Sequence, residues 1–129
     1  MENSGTMIVE PISGDFSVEG YKIIRVYRSW GYYKVLQEYP GVKVKELVVE
    51  PGKSLSMQRH KYRSEFWTVV EGTGMVELND TKVMLKAQST IFIRPLDWHK
   101  LWNTSDRQLR IVEIQYGSEC DEADIERKP

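Results

Sequence analysis

A chain of 129 residues with 18 basic and 19 acidic side chains, net charge −1, is too evenly charged to hold nucleic acid or an anionic membrane by bulk electrostatics. Its length suits one core that buries about two-thirds of the extended surface, and no apolar run approaches the roughly 18 residues of a membrane span. Met1 to Gly5 lack the basic-then-apolar order of a secretion signal, and the lone Cys120 excludes an internal disulfide, so the expectation is a soluble protein of the reducing cytoplasm.

Residues 1–20, with Gly5, Pro11, Gly14 and Gly20, read as an N-terminal arm that could pair with a partner's sheet edge or remain loose. Residues 21–129 read as one domain of strands and turns. Short runs rich in β-branched or aromatic residues fall at 21–27, 31–36, 43–49, 54–60, 66–70, 74–78, 82–85, 90–93, 99–103 and 109–115. Turn residues separate them at Pro40-Gly41, Pro51-Gly52, Gly72, Asn79-Asp80, Pro95 and Asp106, and Asn79-Asp80 has the form of a tight hairpin turn. No segment keeps a helical period beyond two turns, although 121–127 leaves room for one turn at the end. Regularly spaced short strands predict an all-β sandwich or barrel.

The chain has two histidines, His60 and His99. Gln58 and His60 are two apart, so on a strand their side chains leave from one face. Glu65 follows a polar turn at 61–64, and a closed sheet would bring His99 across from a later strand. Two ring nitrogens, a carboxylate and an amide oxygen form a donor set for a divalent ion of zinc, iron, manganese or nickel type. Each residue also has a plainer reading. A lone histidine on a strand is usually hydrogen-bonded or at the surface, and Gln58 need only hydrogen-bond. Arg63 could be a solvated turn charge, Trp30 and Trp67 core or wall aromatics, and one of Lys43 and Lys45 a solvated lysine. Glu113 and Gln115 share a face in an apolar run, where burial demands partners, so they are expected to line a pocket.

Gly52, five residues, Gln58, one residue, His60, four residues, Glu65, six residues and Gly72 reproduce the spacing of the first cupin motif, with Gln58 at its first histidine position. Residues 55–67, LSMQRHKYRSEFW, resemble the LSLQxHxxRxExW segment of type II mannose-6-phosphate isomerases. That module is usually the C-terminal half of a bifunctional enzyme with a mannose-1-phosphate guanylyltransferase. The resemblance continues through Arg28-Ser29-Trp30-Gly31-Tyr32-Tyr33, Lys43-Val44-Lys45, Asn103, the stretch Val112 to Gly117 and the tail 122–127, and so covers roughly residues 27–128.

The resemblance implies a cupin double-stranded β-helix, a jelly-roll barrel, holding a divalent metal, zinc foremost, on Gln58, His60, Glu65 and His99. It implies interconversion of mannose-6-phosphate and fructose-6-phosphate, a homodimer, and a small sugar phosphate as the only partner. Glu113 or Lys45 would be the base, since Glu65 and His99 are committed to the metal. Arg63, acting from the turn at the pocket rim, is the first choice to hold the phosphate or the developing enediolate. Arg28 is the second choice, and Gln115 lines the substrate pocket. With no Gly-rich nucleotide loop, the expectation is the isomerase module alone. Some positions depart from the family pattern. Arg59, Lys61, Tyr62 and Phe66 replace a methionine and three histidines, and Arg59, Lys61 and Phe66 should face an outer surface or subunit contact. Before His99, Arg94 stands at a proline position and Leu96 at a glycine position, so that turn should differ. The departures keep two alternatives open: a cupin that binds sugar or sugar phosphate without turnover, and another metal-cupin enzyme such as an oxygenase or lyase. Gln58 argues against an iron oxygenase, which would more often carry histidine there.

Overall fold

Strands account for all the regular structure in the computed structural model, which describes residues 7–11, 22–118, 120 and 123–129. They are β1 (Met7–Pro11), β2 (Lys22–Arg28), β3 (Gly31–Tyr39), β4 (Val42–Val49), β5 (Gln58–Arg59), β6 (Arg63–Glu71), β7 (Gly74–Leu78), β8 (Thr81–Leu85), β9 (Thr90–Ile93), β10 (His99–Trp102), β11 (Leu109–Gly117) and β12 (Glu126–Arg127). They form two sheets, ordered β1-β2-β3-β4-β11-β6-β9 and β12-β5-β10-β7-β8, and every pairing is antiparallel. Leu47, Trp67 and Ile111 of the larger sheet pack with Val76, Leu85 and Leu101 of the smaller one in a single buried cluster, so the sheets face each other.

The inward side chains explain where a site can form. Along β6, Arg63, Glu65, Trp67 and Val69 are buried and the residues between them are not; along β11 the buried set is Leu109, Ile111, Glu113 and Gln115. This is the period of two expected of a sheet with one face packed. Each strand is apolar at one end of its buried face and polar at the other. The two strands run antiparallel with Glu113 opposite Trp67 and Gln115 opposite Glu65, so the polar ends coincide. Lys45 on β4 pairs with Glu113, and His99 on β10 with Gln58, which adds polar residues to the same end of the interior. The core and the polar chamber are therefore two ends of one space.

Turn chemistry fixes the register. Asn79 adopts φ 53° between β7 and β8, as the Asn-Asp pair predicts for a tight hairpin. Gly31 closes the β2–β3 turn at φ +146°, where a Cβ would collide with the carbonyl of Val48; no other residue fits there.

Several expectations from sequence need correction. The 54–60 strand reduces to β5 and one isolated bridge between Ser54 and Trp102. The polar turn at 61–64 is shorter than its composition suggests, because β6 already begins at Arg63. The tail makes no helical turn: Glu126 and Arg127 pair with Arg59 and Gln58, fastened by a two-pronged Arg59–Glu126 ion pair at 2.9 and 3.1 Å. Residues 121 and 122 of that stretch lie outside the described residues. The arm is not wholly separate either, since β1 runs antiparallel to β2 of its own chain, from Met7 opposite Val26 to Pro11 opposite Lys22. Residues 1–6 and 12–20 of the arm lie outside the described residues. Among the described residues no helix is long and apolar enough to cross a membrane.

Candidate metal centre and cavity

A cavity of about 270 Å³ opens at the polar end of the interior, walled by Trp30, Trp67, Leu47 and Leu101 and floored by charged residues. Lys45, His60, Arg63, Glu65, His99 and Glu113 line it, and each is 5% exposed or less. Burying so many ionisable groups is costly unless they neutralise or coordinate something.

His60, Glu65 and His99 each place one donor atom within 4.8 Å of the others. Glu65 Oε2 lies 3.3 Å from His60 Nε2, and Glu65 Oε1 lies 3.8 Å from His99 Nε2. Both imidazoles point the same nitrogen at a carbonyl: Nδ1 of His60 is 2.6 Å from the Asp124 oxygen, and Nδ1 of His99 is 2.9 Å from the Asp97 oxygen. A carbonyl can only accept, so both Nδ1 atoms donate, and both rings turn their Nε2 atoms toward Glu65. That backing is typical of metal-binding histidines, because it fixes the tautomer and the ring orientation. Burial, reinforced by the neighbouring Arg63 charge, drives the His60 pKa down to about 4, so its lone pair is available at neutral pH. Burial opposes the Glu65 charge, but the facing histidines, Arg63 and the Trp67 Nε1–H donated to Oε1 at 3.0 Å outweigh it and hold the pKa at about 2. Two ring nitrogens and one carboxylate oxygen suit a divalent ion. Gln58 lies beside this triad on β5, lines the cavity and is half-buried, with its Nε2 3.5 Å from the Ser56 carbonyl.

A second group lines the same cavity. Lys45 and Glu113 are directly opposed on β4 and β11, and Gln115 Nε2 donates to Glu113 Oε1. Burial, opposed by Glu113, lowers the Lys45 pKa to about 8, and its ammonium sits 4.4 Å from the centre of the Tyr33 ring. Burial and the charge of Glu65 raise the Glu113 pKa to about 7. Gln115 Oε1 is buried without a hydrogen-bond partner, an acceptor set in the cavity wall.

Arg63 is not the exposed rim cation that its position after a polar turn suggests. It is 4% exposed on β6, with Nε donating to Glu65 Oε2 at 2.9 Å and Nη2 donating to His60 Nε2 at 3.1 Å. The period of two puts it on the inner face with Glu65. Cations at the cavity edge are instead Arg28, half-buried on β2, and Arg127, exposed on β12. Arg59 does face outward, over the Trp98 ring at 4.5 Å, and packs the tail rather than standing alone. Trp30 and Trp67 belong to both core and cavity wall.

The turn before His99 keeps a glycine-like backbone without a glycine. Leu96 takes φ 70°, and its N–H donates to the His60 carbonyl at 2.7 Å. The Asp97 carboxylate holds the turn by accepting from the Arg94 N–H at 2.9 Å and from Asn79 Nδ2 at 3.2 Å. The residue at this position is thus a leucine held in a left-handed backbone conformation. Asn103 is 1% exposed and donates to the carbonyls of Val49 and Arg107, so its work is structural. Sequence reasoning missed Tyr33, Asp124 and Arg127 as site residues. All three lie inside the segments that resemble the isomerases, but only a folded chain shows that Asp124 backs His60.

Comparison with known proteins identifies the family. The profile of the family described as mannose-6-phosphate isomerase C-terminal matches residues 18–128. Alginate biosynthesis protein AlgA of Pseudomonas aeruginosa is 35% identical over 120 residues, which are 93% of this chain and 25% of that protein. Mannose-1-phosphate guanylyltransferase ManC of Salmonella typhimurium is also 35% identical over 120 residues, with the same coverage of 93% and 25%. The chain thus spans about a quarter of the length of these curated relatives. Among solved structures, a cupin 2 domain-containing protein of Halorhodospira halophila has a TM-score of 0.63 at 27% identity, covering 73% of this chain and 62% of that one. The capsular polysaccharide assembling protein CapF of Staphylococcus aureus has a TM-score of 0.74 at 14% identity, covering 84% of this chain and 34% of that one, a likeness of fold alone. With the cupin barrel in place and the family profile spanning nearly its whole length, the chain belongs to the mannose-6-phosphate isomerase C-terminal family.

Proposed function

We propose that this protein is a metal-dependent aldose–ketose isomerase that interconverts mannose-6-phosphate and fructose-6-phosphate. The observation that carries this is the Lys45–Glu113 pair, two buried groups with pKa values moved to about 8 and about 7, lining the same small cavity as a three-donor centre. Paired groups whose environments bring them close to neutrality suit proton transfer.

His60, Glu65 and His99 would hold the ion, with Gln58 as a fourth donor, and two imidazole nitrogens beside oxygen donors suit zinc. A divalent cation there supplies Lewis-acid stabilisation of the charge that develops on the sugar's O1 and O2. Glu113 in its ionised form takes the proton from C2, and the electron pair of that bond enters the C1–C2 enediol as O1 gains a proton. Return of the proton to C1, with loss of the O2 proton, gives the ketose. Lys45 charged beside Glu113 favours the carboxylate and can exchange a proton with the hydroxyl oxygens. Gln115 orients Glu113 and offers its open acceptor to a sugar hydroxyl. The phosphate, the most hydrated part of the substrate, fits the outer edge, where Arg28 and Arg127 can meet it with planar donor forks. The depth of Arg63 in the cavity favours a role with the sugar oxygens rather than the phosphate.

A second reading, a cupin that binds a sugar phosphate without turnover, is favoured by the Arg63 contacts, which occupy Glu65 and His60. Protein reconstituted with zinc, manganese or iron and assayed with each sugar phosphate by coupled enzymes separates the two. Activity that disappears in the His60→Ala, His99→Ala double variant together with bound metal supports the isomerase. Sugar-phosphate binding with no turnover for any of the three metals supports the alternative.

A further inference from the structure

Arg63 and a metal ion would need the same electrons. His60 has one lone pair, on Nε2, because its Nδ1 proton is given to the Asp124 carbonyl at 2.6 Å, and Arg63 Nη2 is donated to that lone pair at 3.1 Å. Glu65 Oε2 is different: a carboxylate oxygen has two lone pairs, so it can accept Arg63 Nε at 2.9 Å and still bind an ion. One nitrogen lone pair cannot serve a guanidinium and a cation together. We infer that Arg63 is a gate on the cation site, that the Arg63–His60 hydrogen bond and cation binding exclude each other, and that each cation bound releases one guanidinium N–H into the cavity.

The guanidinium is a rigid planar fork, so breaking the Nη2 contact takes a change in the Arg63 side-chain torsions that tilts the whole fork while it stays beside Glu65. The fully buried Glu65 would keep a positive partner in both arrangements, which avoids the large penalty of an unpaired buried carboxylate. The gate lowers metal affinity by the stability of the hydrogen bond that must be given up. It also delivers a donor to the cavity only when the cation is present. By linkage, any ligand that engages the released guanidinium tightens the cation by the same factor. The inference rests on the metal-dependent reading above.

Removing the guanidinium also removes a positive charge, which by itself favours a cation, so a control is required. Zinc affinity is measured by competition with a chromophoric chelator for the wild type, Arg63→Met and Lys45→Met. Lys45 is a buried cation in the same cavity whose charge also acts on Glu65. The gate predicts that Arg63→Met binds zinc at least about tenfold more tightly, a hydrogen bond to a charged group being worth roughly that factor or more. Lys45→Met should change by no more than about threefold, a through-space effect at the high effective dielectric of such sites. Equal tightening in the two variants, or no tightening in Arg63→Met, overturns the gate. Loss of zinc binding in all three proteins overturns the metal reading itself. A zinc-bound crystal structure of the wild type gives an independent reading should Arg63→Met fail to fold. Nη2 must have left His60 Nε2; a contact retained near the usual hydrogen-bond distance of about 3 Å refutes the inference.

Discussion

The backbone oxygen of Asp124 lies 2.6 Å from Nδ1 of His60, joining the last residues of the chain to the first histidine of the donor triad. The same residue's carboxylate accepts the N–H groups of Lys61 and Tyr62 at 3.1 and 3.0 Å, capping the turn that leads from His60 to Glu65. Lys128 N–H then donates to the Met57 carbonyl at 2.9 Å, and Ile125 and Arg127 complete the cavity wall. The tail is thus a strap that sets the tautomer of one donor and the geometry of the turn between two.

Asp124→Ala removes both side-chain hydrogen bonds and loosens the carbonyl behind His60. Thermal or denaturant unfolding should show a loss of about 1–2 kcal/mol. Chelator competition should show metal affinity about 10–100-fold weaker, the usual cost of disturbing the groups behind a ligating histidine. A variant that unfolds more easily yet binds zinc as tightly as the wild type would limit the strap to stability.

Glu113→Gln keeps the shape of the side chain and removes the base. Turnover should fall by about 10²–10⁴-fold with metal content unchanged. The wild-type rate should climb as Glu113 ionises through about pH 7 and fall where Lys45 loses its proton near pH 8, a narrow bell that belongs to the coupled pair. The sign for stability follows from Glu113 being raised. The folded chain binds more protons than the unfolded one between the ordinary value of 4.5 and about 7, so this group's stabilisation is complete below 4.5 and is lost as pH rises through 7. Lys45, being lowered, acts in the opposite direction between about 8 and 10.5. Glu113→Gln should therefore flatten the stability–pH curve between 4.5 and 7, which equilibrium unfolding at a series of pH values can check.

Leu96→Gly tests the turn before His99. Leu96 is half exposed and holds φ 70°, a conformation that costs a side-chain-bearing residue about 1 kcal/mol and glycine almost nothing. The substitution should raise unfolding stability by about 0.5–1 kcal/mol, allowing for glycine's greater freedom in the unfolded chain. A decrease would mean that the Leu96 side chain has a packing role that outweighs the strain.

Much of this architecture could be read before any coordinates, for a physical reason. Strands alternate with a fixed period of two, so the two-residue spacing of Gln58 and His60 already implied that their side chains leave one face, and the turn residues marked most strand ends. Three features were hidden. Residues 61–64 have the composition of a turn, and only the pairing of Arg63 with Gly117 on β11 shows that the strand starts there and carries the guanidinium inward. The tail strand is two residues long and owes its existence to β5, about 67 positions away along the chain, which no local propensity can reveal. Leu96 looked like a lost turn, because the Asp97 hydrogen bonds that hold its strained backbone are tertiary as much as local.

The most direct test is proton NMR of the zinc-loaded protein with fructose-6-phosphate in deuterium oxide. The account predicts the growth of mannose-6-phosphate signals, with deuterium entering at the carbon-bound position that exchanges through the enediol. It also predicts that neither signal nor label grows with the Glu113→Gln protein or the His60→Ala, His99→Ala protein. Unchanged fructose-6-phosphate spectra from a preparation that demonstrably holds one zinc per chain would contradict it.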